Sequence, residues 1–190
     1  MATDISTFKG ALKYGGARPS LFDVTFTPPS ALSLGTKGGE EMKTFCNVSA
    51  IPPLTVTPIE RQYMGRTVKI PGDIVFGDLT TSIINTEDME IKQTLEEWMD
   101  TINGAETNLG YSDSTSMYGD VILTQYSKDG ESLMHWTFVD CWPTTIAEVA
   151  LSYDTASDIE QFDVTWAYNY YQQEKGAGTS KISATFANQE

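Results

Sequence analysis

Few residues in this chain are of the types that carry out chemistry. His135 is the sole histidine, and Cys46 and Cys141 are the only cysteines. A Ser/His/Asp arrangement would need His135 beside an activated serine, and no G-x-S-x-G turn is present. His135 alternates with Met134 and Trp136, which points it off the apolar face as a plain sheet histidine. Neither cysteine has a histidine nearby in sequence, so both read as small buried residues rather than nucleophiles. Asp154, Asp158 and Glu160 could approach one another at a turn. Their spacing is not that of a calcium loop, however, and a single histidine does not support a typical zinc centre. Glu96, Glu97 and Asp100 read as the outward face of a helix, not as a carboxylate pair for acid–base work. Asn47-Val48-Ser49 has the N-glycosylation pattern but no signal peptide to give it meaning. Of the four tryptophans that could line a sugar-binding face, Trp98, Trp136 and Trp166 fall on core-directed faces. There is no glycine-rich phosphate loop. The residues predict no enzyme, no cofactor and no metal site.

Composition narrows the partners. A chain of 190 residues is long enough for one substantial core. Its net charge of −14 argues against a nucleic-acid binder, whose affinity rests on neutralising phosphates, and against an anionic membrane surface. The imbalance is local. From Gln93 to Glu174 the only basic residue is Lys128, whereas Arg61, Arg66 and Lys69 cluster in a short stretch. Such asymmetry suits head-to-tail association, basic end to acidic surface. Two cysteines do not make a disulfide framework, and the N-terminus has no apolar core of signal-peptide length. No stretch reaches the length of a membrane span. The expected setting is the cytosol, with no membrane insertion.

The elements that position these residues are mostly strands. The one sustained helical pattern is Thr86 to Gly104, with Ile91, Leu95, Trp98 and Ile102 on one stripe. Thr86 is the expected N-cap, and Asn103-Gly104 the expected left-handed stop. The stripe must cover a sheet or plug its open end. Glu90, Glu97 and Asp100 should look away from the core. Alternation predicts strands over 21–26, 43–49, 59–63, 66–70, 74–84, 118–128, 131–139, 145–153 and 160–171, with Pro143 as a break and Pro71-Gly72-Asp73 as a turn. Met64-Gly65 and Asp129-Gly130 mark hairpins. Residues 30–42 read as a long loop, and residues 172–190 as a mobile tail. The predicted fold is mainly β: an antiparallel sandwich or open barrel of about eight strands with one amphipathic helix. The expected division is an N-terminal arm 1–18, a domain 19–171 with helix 86–103, and an extension 172–190. Several strands carry a second face of Thr, Ser, Asn, Gln and Asp that must meet water.

In this order the segments resemble the tail tube protein family of T4-like contractile phages. The resemblance is carried by Ala17-Arg18-Pro19-Ser20-Leu21-Phe22-Asp23-Val24, Ala50-Ile51-Pro52-Pro53, and Met64 through Asp73 (MGRTVKIPGD). It continues in the helix with Trp98, in Cys141-Trp142-Pro143-Thr144, and in Ile159 through Tyr170 (IEQFDVTWAYNY). It covers about residues 17–171. The loop 28–42 looks longer than is usual in this type, and the tail 172–190 looks like an addition.

The resemblance implies a virion structural protein assembled in the host cytoplasm. Homohexameric rings would stack helically into a hollow tube inside a contractile sheath, with strands of six subunits joined in a continuous barrel. Sheath, baseplate, tail terminator and tape-measure proteins are the implied partners, and DNA would pass through during ejection without specific binding. Arg61, Met64, Gly65, Arg66 and Lys69 are then the candidate ring-stacking hairpin. Asp73, Asp78, Glu160 and Asp163 are candidate lumen or seam acids, which would keep a polyanion from adhering. The alternatives are a β-sandwich module binding carbohydrate or protein, and the tube of a related contractile injection device.

Overall fold

Among the described residues, alternating apolar residues separated by turns give nine strands, and the two faces of each strand decide where it sits. The computed structural model describes residues 5–12, 15–29, 37–110, 114–149, 151–155 and 158–176, with the backbone alone at 37–40, 114, 115 and 155. The elements run α1 (Ile5–Ala11), β1 (Phe22–Thr27), α2 (Lys37–Phe45), β2 (Cys46–Ser49), β3 (Leu54–Tyr63), β4 (Arg66–Phe76) and β5 (Leu79–Ile84). Then follow α3 (Glu90–Ile102), β6 (Gly119–Tyr126), β7 (Ser132–Ile146), β8 (Gln161–Ala167) and β9 (Tyr170–Lys175). Seven strands form one antiparallel sheet in the order β1-β6-β7-β8-β5-β2, with β9 also on β7, while β3 and β4 form a separate two-stranded ribbon.

The shared strand β7 folds the sheet on itself. Its first part, Met134 to Val139, pairs with β6 and β9. Its last part, Trp142 to Ile146, pairs with β8. Between them Asp140 has φ 55, a left-handed backbone that redirects the strand. The first half-sheet is therefore β1-β6-β7-β9 and the second is β7-β8-β5-β2. Their inner faces meet: Phe26 of β1 lies 5.7 Å from Trp166 of β8, centroid to centroid. Val24, Val121 and Phe138 from one half, and Leu79, Ile83 and Val164 from the other, are fully buried between them.

Helix α3 plugs this core. Ile91, Leu95 and Trp98 are buried, and Ile102 packs partly buried against them. The Trp98 ring sits 6.2 Å from Phe26 and 6.1 Å from Trp166, and its Nε1–H donates to Met117 O at 3.0 Å. One side chain thus touches both half-sheets, and its polar atom is satisfied. Gly119 is small for the same reason: a Cβ there would lie 2.7 Å from Trp98 Cη2. Glu97 and Asp100 are exposed, whereas Glu90 is half-buried.

Several expected boundaries move. Helix α3 starts at Glu90, not Thr86; Met89 stands before it in the left-handed region and no side chain caps it. Its end is Asn103 in an extended conformation rather than a left-handed stop. The loop expected over 30–42 holds α2, whose Met42 is fully buried; residues 30–36 lie outside the described residues. Residues 43–45, expected as strand, belong to that helix. The long strand expected over 74–84 is broken at Gly77-Asp78, where Gly77 N–H donates to Pro53 O at 3.0 Å. The turn expected at Pro71-Gly72-Asp73 runs inside β4 as a register irregularity. Pro143 does not break β7 but sits at a second one, where a missing N–H is tolerated. Among the described residues of 147–153 no strand forms; Leu151 and Tyr153 are exposed instead. The strand expected to Tyr171 ends at Ala167, turns, and continues as β9 to Lys175, so the first four residues of the expected tail are strand. Residues 177–190 lie outside the described residues.

Candidate assembly surfaces

His135 Nδ1 lies 3.1 Å from Thr124 Oγ1 on the outward face of the first half-sheet, with Glu174 of β9 opposite His135. Burial pushes the Cys46 thiol up to about 12 and raises that of Cys141 as well, so both are held neutral. Among the described residues no cluster of His, Cys, Asp or Glu could hold a metal ion. No helix of the described residues is long and apolar enough to cross a membrane.

What the molecule offers instead is surface. The ribbon β3–β4 stands off the body with every β3 residue exposed. Its tip is a two-residue turn, Met64 at φ 45 and Gly65 at φ 78, the left-handed pair that matches strand twist. At its root Phe76 packs edge-on to Tyr168 and Tyr171, and the Tyr168 hydroxyl donates to Gly77 O at 2.6 Å. Register places Ile59 opposite Ile70, Arg61 opposite Val68 and Tyr63 opposite Arg66 on one face. The other face carries Pro58 with Pro71, Glu60 with Lys69, and Gln62 with Thr67. Lys69 Nζ is 3.1 Å from Glu60 Oε1, an exposed pair within the ribbon. The stacking candidates Arg61, Met64, Gly65, Arg66 and Lys69 therefore all lie on one projecting element, with Lys69 on the opposite face from Arg61 and Arg66. Ile59, Val68 and Ile70 are about half exposed, and the charge pattern alone did not single them out.

The four candidate acids are spread over the molecule. Asp73 lies in the irregular stretch of β4 and Asp78 between β4 and β5. Asp163 is exposed on the outward face of the second half-sheet, opposite Ser82, with Thr80 opposite Thr165 on the same face. Glu160 is at the far end of β8, where its main-chain O accepts from Asn85 N at 2.9 Å and its Oε1 from Asn85 Nδ2 at 2.6 Å. The first half-sheet has its own polar face, with Asp120, Thr137 and Gln172. On that face Asp23 is buried, accepting from the Tyr126 hydroxyl at 2.7 Å and lying 3.2 Å from Lys43 Nζ of α2.

A family model described as phage tail tube protein matches residues 17–174. The tail tube protein gp19 of Enterobacteria phage T4 is 27% identical over 157 residues, covering 82% of this chain and 91% of the relative. The tail tube protein of Serratia phage KSP90 is 25% identical over 177 residues, covering 90% and 96%. Among solved structures, a chain of the sheath–tube complex of an extracellular contractile injection system, PVC, superposes with a TM-score of 0.59 at 18% identity, covering 89% of this chain and 97% of that one. A chain of the anti-feeding prophage baseplate gives 0.61 at 9% identity, covering 84% and 95%. At these identities the structural likeness shows a shared fold.

Proposed function

Because the chain belongs to the phage tail tube protein family, we propose that it is the structural subunit of a contractile tail tube, an assembly component rather than an enzyme. The observation that carries the reading furthest is the second half-sheet, whose strand β5 follows directly on the ribbon in the chain. Its outward face is polar, with Thr80, Ser82, Asp163 and Thr165, and among the described residues β2 and the end of β7 are each paired on one side only. A one-sided polar sheet with open edges gains by pairing with further copies until the edges close. Six copies would join edge to edge as a homohexameric ring whose barrel surrounds the channel. Asp163, with Asp78 and Asp73 along the same half-sheet and ribbon, would face the channel or its seams and keep DNA from adhering; Glu160 would lie at the end of the barrel. In this reading the domain is about residues 19–171, extended to the end of β9 at Lys175.

Stacked rings form the conduit for DNA ejection, with the ribbon reaching the next ring. Sheath and baseplate fit as partners of the outer and end surfaces, and tail terminator and tape-measure proteins as partners at the tube end and in the channel. Assembly in the host cytoplasm puts the product in the virion tail. Negative-stain microscopy of the purified chain is expected to show long hollow rods; a monomer that forms none at any concentration would sink the reading. Reversing Arg66 and Lys69 to Glu should shorten or abolish the rods and leave the circular dichroism of the monomer unchanged. The loss of the exposed Lys69–Glu60 pair costs the fold only about 0–1 kcal/mol. Rods of normal length and yield would remove the ribbon from stacking.

A further inference from the structure

The ribbon meets the rest of the molecule through few groups. Among the described residues β3 and β4 pair with each other and with no other strand. Every residue of β3 is exposed, and in β4 only Gly72 and Phe76 are not. The chain enters the ribbon through Pro53 and leaves it through Gly77, whose N–H donates to Pro53 O and closes the ribbon's base on itself. On these two connections alone the ribbon could swing. A strand of ten residues is about 33 Å long, so each ~10° of tilt at the base would carry the tip about 6 Å, more than the spacing of two paired strands.

Phe76 resists that swing. Its ring lies 6.1 Å from that of Tyr168 and 5.4 Å from that of Tyr171, edge-on to both. Those two rings seat on Phe138 of β7, at 4.9 and 5.7 Å, and lie 6.3 Å from each other. Both tyrosines belong to one short segment, the turn after β8 and the start of β9. Asn169, between them, pins the turn to β7: its N–H donates to Val139 O at 3.2 Å and its Nδ2–H to Asp140 Oδ2 at 2.9 Å. From there β9 pairs with β7, Tyr171 opposite Phe138 and Lys175 opposite Met134, and among the described residues with no other strand. The ribbon is thus steadied from β7 by way of an edge strand, the kind of element that opens before a core strand does.

We propose that β9 braces the ribbon: Tyr171, seated on Phe138, holds Phe76 and fixes the angle at which the ribbon leaves the body. Tyr171 is then a positioning residue, and β9 and the ribbon form one conformational unit. The proposal rests on the tube reading for its consequence, a ribbon presented at one angle to the next ring, but single subunits test it.

Spin labels at Gln62→Cys, near the ribbon tip, and Glu97→Cys, on α3, report that angle; both positions are exposed and the native cysteines are buried. Pulsed electron paramagnetic resonance of the labelled monomer should give one narrow distance distribution. Tyr171→Ala should broaden it by about twofold or more, and Tyr171→Phe, which keeps the ring, should restore it. Phe76→Ala should broaden it equally, and it keeps the body folded because Phe76 is not part of the core cluster. The two alanines together should broaden it no more than either alone, because both remove one contact. Gly176→Val strikes the brace from its other end. A Cβ there would run into the main-chain O of Ser132, so β9 must lift, and the distribution should broaden with all four rings intact. An unchanged width in Phe76→Ala or in Gly176→Val, or summed effects in the double alanine, would overturn the brace even if rods form normally. Absence of rods from the unaltered chain would remove the tube reading and leave the brace to these distances.

Discussion

Tyr168 joins the core to the ribbon. Its ring packs on Phe138 and Phe76, and its hydroxyl donates to Gly77 O where the ribbon leaves the body. Burial pushes this phenol up to about 12, with the neighbouring Tyr171 and Asp78 adding to the shift. Tyr126 is raised as well, first by its hydrogen bond to Asp23, and Lys43 is raised by the same carboxylate. All three groups hold their protons more tightly folded than unfolded. The unfolded state therefore binds fewer protons above about pH 10, and stability falls as pH rises toward about 12. The contribution is fully present below the ordinary tyrosine value. Melting temperature should drop between about pH 10 and about pH 12, and Tyr168→Phe should flatten that slope even though it starts lower. An unchanged slope in Tyr168→Phe would show that this phenol is not part of the alkaline transition. None of this was legible from alternation, which put Tyr168 and Tyr170 on one strand face; the chain turns between them, and Tyr170 opens β9.

At the scale of elements, strands with a clean period of two were readable and their interruptions were not. Phe162, Val164 and Trp166 are buried as their alternation indicates, and Asp129-Gly130 forms its hairpin with Gly130 at φ 83. The misreadings fall where backbone geometry overrides side-chain pattern. Ala147, Val149, Leu151 and Tyr153 alternate as a strand would, yet β7 ends at Ile146; Ala147 N–H still donates to Asp163 O of β8 at 2.8 Å, whereas Leu151 and Tyr153 face water. Pro71-Gly72 has turn residues, yet β4 runs through it because the irregular register accommodates them. Gly72 is the residue this requires: a Cβ there would lie 2.5 Å from Thr57 O and 2.8 Å from Ile59 Cγ1. Backbone cannot yield to such a contact as a flexible side chain would. Gly72→Val should therefore shift the pairing of the outer ribbon and misplace Arg61 and Arg66. The body, which does not contain this residue, should keep its melting temperature while rods disappear from electron micrographs. Normal rods would mean that the ribbon's register does not matter to assembly.

For the whole molecule, the question is which of two polar sheet faces lines the channel. Composition supplied the acidic balance and the ordered segments supplied the family, but faces are set by the doubling back of β7 at Asp140, which nothing in the alternation announces. The second half-sheet is the better candidate because its outward face carries Thr80, Ser82, Asp163 and Thr165, whereas in the first half-sheet β1 lies under α2, with Asp23 held by Lys43. The two can be separated by single cysteines. Asp163 is exposed on the second half-sheet and Gln172 on the first. The native thiols interfere little, since Cys46 and Cys141 are buried and held neutral. A maleimide carrying a bulky polymer should label Asp163→Cys and Gln172→Cys equally well as monomers. In rods it should label Gln172→Cys and spare Asp163→Cys, because a long polymer cannot enter a closed channel except at its ends. Shearing the rods into short pieces should raise Asp163→Cys labelling in proportion to the number of ends created, a dependence that burial at a subunit seam would not show. Ready labelling of Asp163→Cys in long rods would turn the second half-sheet outward and give the channel to the face that carries Asp120, His135 and Glu174.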